Sequence, residues 1–297
     1  MSFTAEVKTE LSETEFFSVE MKRAYAYGFL LFGKSFGVRS VSCASDYECV
    51  INSFASVISD LTGIVPVVSQ LKSGKYVLKI ASSAERRCLI EYFDHAANEI
   101  SLRLNHGNVD DDECYCAFLR GAFMTCGTVS NPDKNYHLEF VVQHNKLSQD
   151  LLKVLTNLSL SAKYILRKYS HVVYLKDSEG IEDLLTMMGA PNSSLYLMGV
   201  KVQKDVRNKI NRKMNFESAN MTRAIEAGLA QVEAINIIEK KQGLDSLSDE
   251  LKELAILRRE NPDMSLKELG ESLSVPISRS GVNHRLSRLI SIAEKYK

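Results

Sequence analysis

The chain has 297 residues, 45% of them hydrophobic, and 37 Lys and Arg balance 37 Asp and Glu to a formal net charge of zero. This composition is that of a globular protein with a real core, and the zero net charge excludes an overall positive field that would attract nucleic acid. The charge is uneven, however, because residues 201–297 hold 18 basic against 14 acidic side chains. The C-terminal third is thus about +4, which indicates a basic binding surface behind an acidic body.

The cysteines and the apolar segments limit the class of protein further. All six cysteines lie within the first 126 residues, none forms a C-x-x-C pair and no histidine cluster adjoins them, so we expect reduced thiols and no zinc site. The first residues lack the apolar region of a signal peptide, and no stretch approaches about 18 uninterrupted apolar residues. No nucleotide fingerprint is present. We therefore expect a cytoplasmic protein without membrane contact and without a cofactor.

The first two-thirds of the chain contain one unit written twice. The segments "AYAYGFLLFGKSF" and "AFLRGAFMTCGTVS" are both apolar, aromatic helices around a glycine, Gly28 and Gly121. Each helix precedes two strands, a helix, two strands and a last helix. We predict an α+β body of two αββαββα repeats, residues 1–95 and 96–195, with one four-stranded sheet each and a pseudo-two-fold axis between them.

A basic segment follows, and we predict a linker and a connecting helix over residues 196–243. The linker holds six basic residues against Asp205 before Asn215, and "MTRAIEAGLAQVEAINIIEKKQG" is helical by its apolar period. Arginine contacts phosphates and asparagine pairs well with bases, so this segment contributes candidate linker contacts to DNA. They are Arg207, Asn208, Asn211 and Arg212. A solvated connector explains the same charges equally well.

Residues 244–297 have the pattern of a small, all-α helix-turn-helix domain. A capped helix "DELKELAILRREN" is followed by Ser265 and Glu268, which form a capping box at the start of the next helix. Pro276 then interrupts the helical pattern, and a longer basic helix covers about 278–295. Two short helices, a tight turn and a longer basic helix are typical of a DNA-binding helix-turn-helix domain. In such a domain the longer helix enters the major groove of DNA.

The last helix has one apolar stripe, at Val282, Leu286, Leu289 and Ala293, and the side chains away from it are candidate DNA contacts. For base edges we predict Ser278, Arg279, Ser280, Asn283 and His284, since a recognition helix reads bases with its N-terminal residues. For phosphates we predict Arg285 and Arg288. The alternative is that each of these side chains is an ordinary solvated surface group.

The paired glycine helices resemble the LAGLIDADG helices of homing endonucleases. That resemblance implies that the two helices pack against each other along small residues and that each ends in an acid that holds divalent metal. The motif glycines correspond to Gly28 and Gly121, and the acid positions correspond to Gly33 and Cys126. Neither residue can supply a carboxylate to Mg²⁺, so the resemblance implies no catalytic residue, no metal site and no nuclease activity.

Nearly the whole chain is similar to the WhiA family of bacterial regulators. The similarity rests on "FLRGAFMTCGTVSNPDKNYHLEF", "NRKMNFESANMTRAIEA" and "NPDMSLKELGESLSVPISRSGVNHRLSRL". It implies a degenerate LAGLIDADG-like body joined to a helix-turn-helix domain, and a nucleoid-associated transcriptional regulator that binds double-stranded DNA without enzymatic activity. In the family this activity serves cell division and chromosome segregation, and sporulation in spore-forming relatives.

Two other interpretations stay open. The body could bind a protein partner, such as a sigma factor or a division component, with DNA binding secondary; the chain would then be a scaffold. Alternatively, acids outside the motif could support residual nuclease activity. In either case we expect a monomer whose body is an internal pseudo-dimer.

Overall fold

The computed structural model describes residues 2–97, 99 and 101–296. Their arrangement divides the chain into two compact units, and the boundary falls between Lys204 and Asp205. This boundary lies within the segment 196–243 that we predicted as a linker and connecting helix. No helix in the described residues is long and apolar enough to span a bilayer.

The first unit contains the two predicted repeats. The first repeat runs through α2 (Val19–Leu31), β1 (Ser35–Gly37), β2 (Ser40–Ser45), α3 (Glu48–Thr62), β3 (Val67–Gln70), β4 (Tyr76–Lys79) and α4 (Ser83–Tyr92). The second runs through α5 (Asp112–Cys126), β5 (Gly127–Val129), β6 (Leu138–Val142), α6 (Asn145–Asn157), β7 (Lys163–Arg167), β8 (Ser170–Leu175) and α7 (Ser178–Met188). Both follow the predicted order of elements, which confirms the α+β class and the duplication.

Each repeat forms one antiparallel four-stranded sheet, in the orders β1-β2-β4-β3 and β5-β6-β8-β7. The alternation along β6 shows how the sheets face the core, since Leu138, Phe140 and Val142 are buried while Val141 is exposed. Short turns fix the register of the strands, and Gly74 accepts the left-handed backbone at φ 86° in the β3–β4 turn. Because the strand orders match, the two sheets hold equivalent positions in the two repeats.

The helices α2 and α5 cross at backbone contact. An ideal Cβ added at Gly28 would overlap the carbonyl oxygen of Phe118, and one added at Gly121 would overlap the carbonyl oxygen of Tyr25. The two glycines are thus reciprocal, each admitting the backbone of the other helix. Around them Tyr25, Phe118 and other large side chains are fully buried, so this crossing is the centre of the core of the first unit.

The N-terminal helix α1 (Phe3–Glu13) is an element that the sequence analysis did not predict. Phe3, Val7 and Leu11 bury one face of it against the body. The Thr4 hydroxyl donates to the carbonyl of Val129 at 2.7 Å and accepts from the amide of the same residue at 2.9 Å, which ties α1 to β5. The three apolar residues Phe3, Val7 and Leu11 recur every four positions, so the helical period was present in the sequence although α1 was not predicted.

A single helix, α8 (Pro191–Gln242), occupies the segment that we predicted as linker and connecting helix. No proline interrupts it after the first position, where proline is tolerated, and Gly243 ends it at φ 77°. In the second unit, α9 (Asp249–Glu260), α10 (Leu266–Glu271) and α11 (Arg279–Glu294) follow. They enclose a separate core with Ile235 and Ile238 of α8.

Candidate nucleic-acid interface

Helix α11 packs on the second core by the stripe that its sequence predicts. Val282, Leu286, Leu289 and Ala293 are each no more than 1% exposed. The hydroxyl of Ser278 caps the helix by accepting from the amide of Gly281 at 3.3 Å. The opposite side of α11 is open to solvent over its first two turns, and this side carries most of the predicted DNA contacts.

The connection between α10 and α11 is held by backbone and carboxylate contacts. The amide of Ile277 donates to the carbonyl of Gly270 at 3.1 Å, and a Cβ at Gly270 would overlap the carbonyl oxygen of Ile277. The Glu253 carboxylate accepts from the amide of Ser274 at 2.6 Å and from its hydroxyl at 2.5 Å. These hydrogen bonds hold the pKa of Glu253 below its usual range. The start of α11 is therefore fixed relative to α9 and α10.

Arg258 is a structural residue that the sequence did not reveal, because a basic residue in the last turn of a helix ordinarily indicates a solvated charge. It is only 3% exposed. Its guanidinium donates to the side-chain oxygen of Gln231 at 2.8 Å and to the carbonyl oxygens of Pro262 and Met264 at 3.2 and 2.6 Å. Arg258 thus joins the α9–α10 turn to α8.

Three of the predicted base-contacting side chains meet at one groove. Arg279, Ser280 and Asn283 line a cavity of about 420 Å³ together with Leu266 at the start of α10. Arg279 and Asn283 are one helical turn apart, so their side chains are neighbours on the exposed face. Neither forms a hydrogen bond or ion pair with another residue that the structure describes. The groove therefore offers a guanidinium and an amide that are both free to bind a ligand.

The predicted phosphate contacts differ from one another. Arg288 is exposed and has no partner among the described residues, and the same is true of His284, which we predicted for base readout. Arg285 instead forms an ion pair with Glu250 of α9 at 2.8 Å, and its side chain is only 22% exposed. The geometry thus gives Arg285 a role in positioning α11 on α9, a contact that its sequence pattern did not indicate.

The candidate linker residues lie on α8 and are all exposed. Arg207 and Asn211 are one turn apart, as are Asn208 and Arg212, so helical periodicity places the four on one face. Neither arginine forms an ion pair with a described residue. Helix α8 thus presents a second polar and basic face, which lies at the start of the second unit.

The two positions that correspond to metal-binding acids meet in the first unit. Gly33 and Cys126 both line one cavity of about 430 Å³ at the C-terminal ends of α2 and α5. Burial raises the pKa of the Cys126 thiol to about 12, so this group is neutral near pH 7. Within the described residues, no three His, Cys, Asp or Glu side chains converge as metal ligands. The residues present do not fit a magnesium centre.

Comparison with known proteins agrees with this geometry. The WhiA LAGLIDADG-like domain model matches residues 115–207, and the WhiA C-terminal helix-turn-helix model matches residues 210–293. The chain is 35% identical to the probable cell division protein WhiA of Clostridium tetani, over 99% of this chain and 98% of the relative. It is also 35% identical to the protein of the same name from Thermoanaerobacter pseudethanolicus, over 100% of this chain and 98% of that relative.

The fold has a solved counterpart. The crystal structure of full-length WhiA from Thermotoga maritima matches 99% of this chain and 99% of its own, with 23% sequence identity and a TM-score of 0.61. This match shows a shared fold over nearly the whole chain, and the two family models give the order of a LAGLIDADG-like body followed by a helix-turn-helix domain.

Proposed function

Because the chain belongs to the WhiA family, we propose that it is a DNA-binding regulator of transcription that acts in cell division and chromosome segregation. The relatives named above are described as probable cell division proteins. Such a protein works on the nucleoid, in the cytoplasm, and its partner is double-stranded DNA. The helix-turn-helix geometry of the second unit is the observation that carries this proposal.

Helix α11 is the element proposed to enter the major groove. Its exposed N-terminal face holds Arg279, Asn283 and His284, whose side chains are of the types that donate to and accept from base edges. Ser280 lies on the same face, and Ser278 caps the helix beneath it. The free guanidinium of Arg288 lies two turns further along, where a recognition helix passes the sugar-phosphate backbone.

The face of α8 with Arg207, Asn208, Asn211 and Arg212 is proposed as an additional phosphate contact. We expect the first unit to contribute less affinity, because two of the basic groups at its sheets, Arg167 on β7 and Lys75 in the β3–β4 turn, are already paired. Arg167 forms an ion pair with Glu139 at 3.2 Å, and Lys75 pairs with Asp46 at 3.4 Å. A duplex would have to displace these acids before it could use the cations.

We also propose that the protein has no nuclease activity, since Gly33 and Cys126 stand where the family resemblance places the metal-binding acids. Incubation of supercoiled plasmid with the full chain and Mg²⁺ tests this directly. Intact plasmid is the expected result, and nicked or linear product that disappears with EDTA would contradict it.

The test of DNA binding is the affinity of the full chain for a mixed-sequence duplex over a series of salt concentrations. Arg288→Ala removes one proposed phosphate contact, so the slope of log K against log salt should flatten by about one unit. Arg87→Ala is the matched control, because Arg87 is an exposed arginine of the body with no assigned contact. An unchanged slope for Arg288→Ala would remove this residue from the interface, and no binding by the full chain would contradict the proposal.

A second candidate function is that of a scaffold, and one feature of α8 favours it. Val206, Ile210, Met214, Met221 and Ile225 are between 47% and 68% exposed and recur at spacings of four and seven. An exposed apolar stripe of this extent marks an interaction site. Basic side chains, Lys209 and Lys213, flank it. An acidic amphipathic helix of a sigma factor or a division protein fits this surface.

The two functions separate experimentally through Ile210→Ser with Met214→Ser. As a scaffold, the double variant would lose its role in division while the full chain keeps its affinity for the mixed-sequence duplex. If instead Arg288→Ala alone abolishes the role in division, DNA binding is primary and the scaffold reading is wrong.

A further inference from the structure

The cavity at the C-terminal ends of α2 and α5 carries a net positive charge, whereas the protein ligands of a metal centre carry a net negative charge. A metal site needs carboxylates, but of the described residues that line this cavity only Asp46 carries one. Three ammonium groups line it, those of Lys8, Lys34 and Lys75. Asp46 forms an ion pair with Lys75 at 3.4 Å and acts on Lys8 only at longer range, and neither Lys8 nor Lys34 forms an ion pair with a described residue. A cavity with a net charge of about +2 repels divalent cations and attracts anions.

Lys8 is the unusual member of this group. It is only 5% exposed, yet its ammonium makes no hydrogen bond or ion pair to any residue that the structure describes. Its nearest partners are the rings of Tyr47 and Phe123, whose centroids both lie 5.6 Å from Nζ. Burial lowers the pKa of Lys8 to about 8. A buried cation without an anionic partner is costly and is retained where a ligand supplies the missing charge.

The position of Lys8 is built into the fold. It lies one turn after Thr4, whose two hydrogen bonds to Val129 hold α1 on β5. Towards the other end of α1, the Glu10 carboxylate accepts from the amides of Asn192 and Ser193 at 2.7 and 3.0 Å. With both ends of α1 anchored, the Lys8 side chain is delivered to the cavity from a rigid support.

We propose that this cavity binds a small phosphate monoester, with Lys8 and Lys34 as its cationic ligands. A phosphate monoester carries about two negative charges near pH 7, which matches the two ammonium groups that form no ion pair with a described residue. The hydroxyls of Ser45 and Thr128 also line the cavity and supply further donors to phosphate oxygens. Its volume of about 430 Å³ lies in the range of small-molecule sites.

A free metabolite fits this cavity better than the backbone of DNA. The ligand must reach the side chain of Lys8, a residue that is only 5% exposed, and a rigid duplex cannot follow the cavity to that depth. The proposal is independent of DNA binding by the second unit, so either can fail while the other stands.

The test is binding of inorganic phosphate by the full chain, followed as the rise in Tm with phosphate concentration at constant ionic strength and pH 7. The Lys8→Met variant keeps the length of the side chain and removes its charge, and Lys72→Met on the exposed β3–β4 turn is the matched control. Wild-type and Lys72→Met should show the same phosphate-dependent rise in Tm. Lys8→Met should bind phosphate at least about tenfold more weakly.

A measurement without phosphate separates a binding role from a structural one. If Lys8 is kept for a ligand, Lys8→Met should have a higher Tm than the wild-type chain, because an unpaired buried charge has been removed. A lower Tm together with an unchanged response to phosphate would overturn the proposal and leave Lys8 a packing residue. A loss of affinity of Lys8→Met for the mixed-sequence duplex would also overturn it, because the cavity would then hold the DNA backbone.

Discussion

The crossing of α2 and α5 and the helix α11 use glycine in opposite ways. At the crossing, Gly121 admits the backbone of α2, and there is no room for even one added carbon atom. In α11, the atoms nearest to a Cβ at Gly281 would be side-chain atoms of Ile277 and Ser278, at 3.4 Å or more. The body is therefore specified by steric fit at its centre, whereas α11 is specified by what it leaves exposed.

The largest expected effect is at the crossing. Gly121→Ala forces the two backbones apart, since the added carbon would overlap the carbonyl oxygen of Tyr25. We expect the free energy of unfolding to fall by about 3 kcal/mol, the upper part of the range for overpacking. Chemical denaturation of the full chain measures this. Gly199→Ala is the control, because nothing lies within 4 Å of its added Cβ. Equal stability of the two variants would show that the crossing can relax.

An intermediate effect is expected from the buried cation of the first unit. The pKa of Lys8 is lowered to about 8 in the folded chain, whereas an unfolded lysine titrates near 10.4, so the folded state releases its proton first. Stability must then rise with pH between about 8 and 10.4, by at most about 3 kcal/mol, and the deficit is fully present below pH 8.

The control for this pH window is Lys8→Met. The thiols of Cys49 and Cys126 and the carboxylate of Asp46 interact with Lys8, so only the difference between wild-type and variant isolates the lysine. That difference should be constant below pH 8 and close as the pH rises. A difference that does not change with pH would mean that Lys8 titrates in the folded chain as it does in water.

The smallest expected effect is in α11. Gly281→Ala should raise the stability of the second unit by about 0.5 kcal/mol, because alanine loses less backbone freedom in a helix. The affinity of the Gly281→Ala variant for the mixed-sequence duplex, measured beside that of the wild-type chain, tests whether DNA approaches this glycine. Unchanged affinity agrees with a glycine that has no contact to make, and weaker binding would mean that DNA approaches the backbone of α11 at this position.

The apolar periodicity of the sequence and its turn and capping residues were sufficient to predict most helices and strands of both units. The duplicated glycine helices, the strands that follow them and the capping box at Ser265 and Glu268 are local patterns, and the structure confirms each of them. The stripe Val282, Leu286, Leu289 and Ala293 likewise predicted which side of α11 is buried. Local patterns succeed here because each element buries one face, and that face repeats with the period of the element.

The sequence by itself determined the duplication, the helix-turn-helix domain and the absence of carboxylates at Gly33 and Cys126, since these depend on residue type and spacing. The tertiary structure alone decided which charges are free. Arg258, Arg285 and Lys8 are indistinguishable from surface charges in the sequence. In the structure, Arg258 holds the α9–α10 turn, Arg285 pairs with Glu250 and Lys8 lines a cavity. Their partners are distant in the chain or are carbonyl oxygens, and no local spacing specifies such contacts.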